Sequence, residues 1–183
     1  MYLGVDVAFN NMGWVVVHPD GLQLEAYGCI RTKREAKKRR TTVTEDDVRR
    51  IVHITKELRC IISTYQVSAV AAELPVGGSR QSNSTKALGM ATAALISVCT
   101  GFKLPIAPIT PHALKKGVTS RLRASKGQIA RVVLGVWPEI ANFKPKGLQE
   151  HITDAGGAIL ATRDTPVYHR AFLLAAYERV TNG

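Results

Sequence analysis

The stretch MYLGVDVAFNNMGWVVV, residues 1–17, decides how the rest of the chain is read. Two apolar, β-prone runs, residues 2–7 and 12–18, flank a short FNN link, and each reads as a strand. Asp6 stands inside the first run, where a buried strand would otherwise carry Val or Ile. Such a carboxylate costs several kcal/mol unless a counter-charge meets it. The first strand is therefore expected to present Asp6 to a cation.

Outward from this stretch, HPDG (residues 18–21) is turn chemistry and residues 23–30 form a third strand, completing a β-meander. A Thr-x-x-Asp start at Thr44 introduces apolar positions 48, 51, 52, 54, 58, 61 and 62, the periodicity of an amphipathic helix. Residues 67–75 read as a buried strand carrying Glu73 near its end. After a Gly/Ser/Gln/Asn segment comes a helix of small residues over 86–99. Its Gly89 and Ala93, one turn apart, suit a close neighbour, either the sheet or another subunit. A short strand over 104–110 precedes helices from near Ser125, over 148–163, and from Thr165-Pro166 to about residue 180. The order β-β-β-α-β-α-β-α-α-α predicts one α/β domain over 1–183, a mixed sheet with helices on its faces.

Charge is the most informative bulk property. Lys and Arg outnumber Asp and Glu 25 to 14, a net charge of +11 in 183 residues, which points to an acidic polymer as partner. The cations cluster. One stretch holds Arg31, Lys33, Arg34, Lys37, Lys38, Arg39 and Arg40, and a second holds Lys115, Lys116, Arg121, Arg123 and Lys126. Both are poor in apolar residues and read as loops able to hold a phosphate backbone. No apolar run approaches the ~18 residues needed to span a bilayer. The N-terminus lacks a secretory pattern, and Cys29, Cys60 and Cys99 have no metal-ligand spacing. A cytoplasmic protein with buried, reduced thiols is expected, with no membrane partner.

Three acids lie in apolar surroundings: Asp6, Glu73 and Asp154. Asp154 follows His151 at i, i+3 in HITD, so both address one side of a helix. Gly156 and Gly157 follow in the helix interior, where each costs about 1 kcal/mol relative to Ala, which makes sense if the helix must approach the sheet closely. Taken singly, Asp6 would pass as a salt-bridge residue, Glu73 as an arginine's partner and His151 as a packing residue. Together they form a set of hard ligands suited to Mg²⁺, with Mn²⁺ as an alternative. Clustered carboxylates, divalent metals and a polyanionic partner point to phosphodiester hydrolysis by two ions ~4 Å apart.

At these residues the chain resembles the RuvC-type Holliday-junction resolvases. LGVDVAFNNMGWVVV is similar to the family's first strand and turn, GCIRTK (28–33) to its third strand, and AAELPVGGSRQSNSTKALGMATAAL to its catalytic-Glu strand and following helix. ASKGQI resembles the segment carrying a basic residue near the scissile phosphate, and EHITDAGGAILA the last acidic motif, whose first ligand is His or Asp. The resemblance runs in order along nearly the whole chain. It implies an RNase H-like fold with a mixed five-stranded sheet, a homodimer, and paired Mg²⁺-dependent cuts across a four-way DNA junction. It further implies Asp6, Glu73, His151 and Asp154 as ligands of two metals, and Lys126 near the cleaved phosphate with Lys115 or Lys116 as a second candidate. The helix over 86–99 becomes the candidate dimer surface. The family often has an aromatic wedge shortly after the catalytic Glu. LPVGGSRQSN has none, leaving Arg80 or Gln81 to act through polar contacts. The long basic loop marks a divergent member, of a kind that also occurs in bacteriophages.

Other readings stay open on sequence alone. A related nuclease of the YqgF type, acting on RNA or other branched DNA, would share the acids but not the GCIRTK-like strand. A non-catalytic DNA-binding module would have no use for the intact acidic set. An actin-like phosphotransferase would need a second Gly-rich phosphate loop and a longer chain.

Overall fold

The computed structural model describes residues 1–20, 22–35, 42–74 and 82–182, without the side chains of residues 82, 83, 175, 178–180 and 182. Strands β1 (Tyr2–Asp6), β2 (Asn11–His18) and β3 (Gln23–Arg31) form the meander. Helix α1 (Val43–Thr64) leads to β4 (Ala69–Glu73), and α2 (Ser82–Gly101) to β5 (Ile106–Ile109). Helices α3 (Pro111–Thr119), α4 (Lys126–Val136), α5 (Gln149–Thr162) and α6 (Pro166–Asn182) follow, with two short 3₁₀ turns between α4 and α5. The five strands make one mixed sheet in the order β3-β2-β1-β4-β5. The meander pairs are antiparallel, while β1–β4 and β4–β5 are parallel.

Side chains alternate across the sheet and build two cores. Leu3, Val5, Met12, Val16, Val70 and Ala72 face α1 and α2, where they meet Ile54, Leu58, Leu95 and Val98. Tyr2, Val15, Val17, Ala69 and Ala71 face the other way, against Leu114 of α3, Ile129 and Val133 of α4, Ile152, Ala155 and Ile159 of α5, and Tyr168 of α6. Period-2 parity then puts Asp6 on the side of Tyr2, and Glu73 on the side of Ala69 and Ala71. Both carboxylates therefore face α5.

Helix α5 reaches the sheet because two strand positions beneath it are glycine. A Cβ on Gly13 would overlap the backbone carbonyl of His151, and one on Gly4 the carbonyl of Ala155. This corrects the sequence expectation for Gly156 and Gly157. A Cβ on Gly156 would meet Val133 and Trp137, and one on Gly157 would meet Leu114 and Ile129. The helix glycines admit α3 and α4; the strand glycines admit α5.

Local chemistry moves several expected boundaries. The cap of helix α1 lies two residues before Thr44: Thr42 is the N-cap, its Oγ1 accepting from Glu45 N at 3.2 Å while Thr42 N donates to Glu45 Oε2 at 2.7 Å. Helix α2 begins at Ser82, ahead of residue 86, and Gly89 and Ala93 lie on its exposed side, so they do not pack on the sheet. Lys115 and Lys116, expected in a loop, lie on α3, which is capped by Thr110, starts with Pro111 and buries Leu114. The expected helix near Ser125 is present with a Ser125/Gln128 capping box. Cys60 is exposed rather than buried, Cys29 is half-buried and Cys99 is buried, all three free.

Candidate active site

Three elements converge at one end of the sheet. Asp6 and Glu73 end β1 and β4 as register partners, and on its other side Asp6 is paired with Gly13. Parallel neighbours sit ~4.8 Å apart, so two carboxylates of like parity stand side by side. Helix α5 crosses over Gly13 and adds His151 and Asp154. His151 Nδ1 donates to Asp6 Oδ2 at 2.9 Å, and the Lys126 ammonium approaches Asp154 Oδ2 at 3.6 Å.

The electrostatics follow from this crowding. Burial, and then the charges of Asp6 and Asp154, push the Glu73 carboxyl up to about 7, against the opposing pull of Lys126 and Lys115. Asp154 rises to about 6, again through burial first and the Asp6 charge second. His151 is raised by its hydrogen bond to Asp6, a cation held where a carboxylate needs one. For Lys126, partial burial works against the charge, but Asp154 and Glu150 outweigh it and the ammonium is raised. Negative charge therefore exceeds what His151 and Lys126 neutralise.

Among the described residues no three His, Cys, Asp or Glu side chains form a ready-made coordination sphere. His151 is turned onto Asp6, and Lys126 onto Asp154 and Glu150. The donor set nonetheless fits a hard divalent cation. Three carboxylates and an imidazole share one end of the sheet, and two of the carboxyls are raised by burial and mutual repulsion that such a cation would relieve.

The remaining expected site residues divide. Lys115 bears on the Glu73 charge from α3, and Lys116 lies one residue on. Arg31 ends β3 beside Asn11, and Lys33 and Arg34 are exposed beyond it, where Arg49 Nη2 donates to Lys33 O at 2.7 Å. Arg121 lines a shallow cavity with Gln128 and Arg131, away from the carboxylates, and Arg123 is exposed nearby. Lys37, Lys38, Arg39, Arg40, Arg80 and Gln81 lie outside the described residues. Sequence reasoning passed over Glu150, which holds Lys126 Nζ at 3.2 Å. Its spacing of four from Asp154 was the available signal: i, i+4 acids on one helix face can share a lysine.

A family model described as "Crossover junction endodeoxyribonuclease RuvC" matches residues 2–159. Among curated proteins, the Rickettsia akari crossover junction endodeoxyribonuclease RuvC is 31% identical over 134 residues, covering 72% of this chain and 78% of its own. The Rickettsia bellii protein of the same name is 28% identical over 142 residues, 76% of this chain and 83% of its own. Among solved structures, T. thermophilus RuvC in complex with Holliday junction substrate superposes with a TM-score of 0.69 at 19% identity, covering 87% of this chain and 90% of that one. A second Thermus thermophilus RuvC structure gives 0.67, with 92% and 95% covered. At that identity the superpositions speak for the RNase H-like fold, and the family model, spanning far more than half of the sequence, places the chain in the RuvC family of crossover junction endodeoxyribonucleases.

Proposed function

We infer that this protein is a structure-selective endonuclease that resolves four-way DNA junctions by metal-dependent phosphodiester hydrolysis. The observation that carries the reading is the registered pair Asp6–Glu73 facing His151 and Asp154 across a helix–sheet contact made possible by Gly13. Asp6, Glu73, His151 and Asp154 would hold two Mg²⁺ ions, with Mn²⁺ as an alternative that the His151 nitrogen favours. When bound, the ions supply an activated water and stabilise the leaving 3′ oxygen.

The chain's own residues do the rest. Lys126 is tethered by Glu150 and Asp154 at the rim of the acidic cluster, where its ammonium offsets charge gathering on the phosphate. Lys115 adds a second positive charge from α3. The exposed cations Arg31, Lys33, Arg34, Lys116, Arg121 and Arg123, with Lys37, Lys38, Arg39 and Arg40 of the same basic stretch, hold junction arms through their phosphates. Arg80 or Gln81 would serve at the branch point, through polar contacts in place of an aromatic wedge. Two protomers related by a two-fold axis match the junction's own symmetry, and the exposed Gly89/Ala93 side of α2 offers the surface on which they meet. No helix among the described residues is long and apolar enough to cross a membrane, in keeping with work on DNA in the cytoplasm.

The test is a labelled four-way junction incubated with and without Mg²⁺, beside linear duplex, single strand and an RNA–DNA hybrid. Symmetric nicks confined to the junction support the reading. Junction binding without metal-dependent cutting overturns it in favour of a binding module, and preferential cutting of the hybrid turns it toward an RNA-processing nuclease.

A further inference from the structure

Between the β1–β2 turn, α1 and α2 lies a cavity of about 500 Å³ whose lining includes Phe9, Asn10, Arg34, Asp47, Arg50 and Lys86. Arg50, from α1, is only 5% exposed. Its guanidinium stacks over the Phe9 ring, 3.9 Å from the centroid. Nε donates to Thr32 Oγ1 at 2.9 Å, and Nη2 donates to Phe9 O at 3.3 Å and to Asn10 Oδ1. All of these acceptors are neutral. Nη1 takes part in none of these bonds, and among the described residues no carboxylate lies within ion-pairing distance of Arg50.

The nearest acids are engaged elsewhere. Asp46 holds Arg49 at 2.6 Å, and Asp47 holds Lys86 at 2.8 Å. Asp46 and Asp47 act on Arg50 only through space and do not make up for its burial, so a cation hydrogen-bonded to neutral acceptors retains a preference for an anion. Arg34 and Lys86 on the same walls reinforce it, and among the described lining residues three cations stand against one carboxylate.

The cavity also neighbours His151. A second cavity, of about 320 Å³, shares Phe9, Asn10, Ser84 and Ala87 with the first and extends to His151. The two cavities thus adjoin along the β1–β2 turn, one reaching His151 and the other Arg50. A DNA strand whose scissile phosphate lay at Asp6 and Glu73 would have its next phosphates directed along these cavities or opposite to them.

We propose that the Arg34/Arg50/Lys86 cavity is a seat for a non-scissile backbone phosphate of the cut DNA strand, a few nucleotides from the cleavage point. The proposal rests on the junction-nuclease reading for the identity of the strand. A phosphate contact of this kind fixes the strand's register relative to the carboxylates. The β1–β2 turn links the two places: Asp6 ends β1, and Asn10 accepts from Arg50 four residues later. Filling the seat would therefore brace the turn that follows the first catalytic carboxylate.

The experiment is a neutral-phosphate scan. Junctions carrying a single methylphosphonate linkage, placed at each position in turn on either side of the cut, are titrated against the full-length protein in chelator, so that binding is read without cutting. At one position near the cut the neutral linkage should weaken wild-type binding roughly tenfold, the scale of one charge-assisted contact. The same linkage should cost an Arg34→Ala/Lys86→Ala double variant, and an Arg50→Lys variant, much less. The double variant keeps Arg50 and its hydrogen bonds, so it serves if Arg50→Lys fails to fold. A scan with no such position, or with an equal penalty in wild type and double variant, overturns the seat. Wild type that binds junctions but never cuts them with metal overturns the nuclease reading alone, since the scan still reports on the seat. Absence of any DNA binding overturns both.

Discussion

Asp6 and Glu73 are register partners on adjacent parallel strands although 67 positions separate them in the chain, and both side chains face α5. That pairing makes a binding site from two residues that look unrelated in sequence. Replacing either carboxylate by its amide keeps shape and removes charge. Asp6→Asn and Glu73→Gln should each lower junction cutting by roughly a thousandfold or more, the scale of losing several kcal/mol of transition-state stabilisation. Junction binding measured in chelator should remain or tighten, because a negative charge facing the phosphates is gone. Normal cutting by Asp6→Asn would sink the ligand assignment.

The raised carboxyls give the metal-free protein a characteristic pH response. Glu73 is lifted from its usual 4.5 to about 7, and Asp154 from 3.8 to about 6. Within those windows the folded state keeps protons that the unfolded chain has released, so stability falls as pH rises. His151 acts in the same direction. Its raised folded-state value means its contribution is present at low pH and lost as pH climbs through that value. In chelator, the urea midpoint should therefore decline between about pH 4 and about pH 7. Glu73→Gln should flatten the decline, and excess Mg²⁺ should flatten it in wild type by favouring the ionised, metal-bound form. A midpoint that rises steadily over this range would contradict the electrostatics.

Gly13 and Gly4 are where α5 touches the sheet. Gly13→Ala sets a Cβ into the His151 carbonyl, so the helix must shift; the expected loss is about 1–3 kcal/mol or more. Cutting should fall further than stability alone explains, since His151 and Asp154 move with the helix. Gly89→Ala is the contrast. Its Cβ meets nothing within 4 Å on an exposed helix face, so in the protomer it should raise stability by up to about 1 kcal/mol. Thermal melts of both variants, with sedimentation to follow the oligomeric state of Gly89→Ala, check the pair.

His151→Asp exchanges a nitrogen donor for a hard oxygen and removes the imidazole now bonded to Asp6. Activity with Mg²⁺ should rise relative to activity with Mn²⁺, because oxygen ligands favour the harder ion. The added carboxylate should also make the metal-free protein less stable at neutral pH. An unchanged Mg²⁺-to-Mn²⁺ ratio would remove His151 from the ligand set.

The sequence by itself determined the strands of the meander, the helical faces and the suspicious carboxylates. Those signals are local: period-2 and period-3.6 apolar patterns, turn dipeptides, and acids out of place in apolar runs. It misplaced what depends on a neighbour far along the chain. The α1 cap lies at Thr42, because a reciprocal bond with Glu45 competes better than the Thr44 start. The second basic stretch is partly helix, because Leu114 finds a core to enter. Only the tertiary structure decided that β4 pairs with β1 in the register joining Asp6 to Glu73, and that strand glycines rather than Gly156 and Gly157 let α5 down onto the sheet. It alone gave Arg50, an unremarkable helix arginine in sequence, a buried place where its hydrogen bonds among the described residues go to neutral acceptors. Strand register and burial are set by packing summed over the whole molecule, and no local pattern carries that sum.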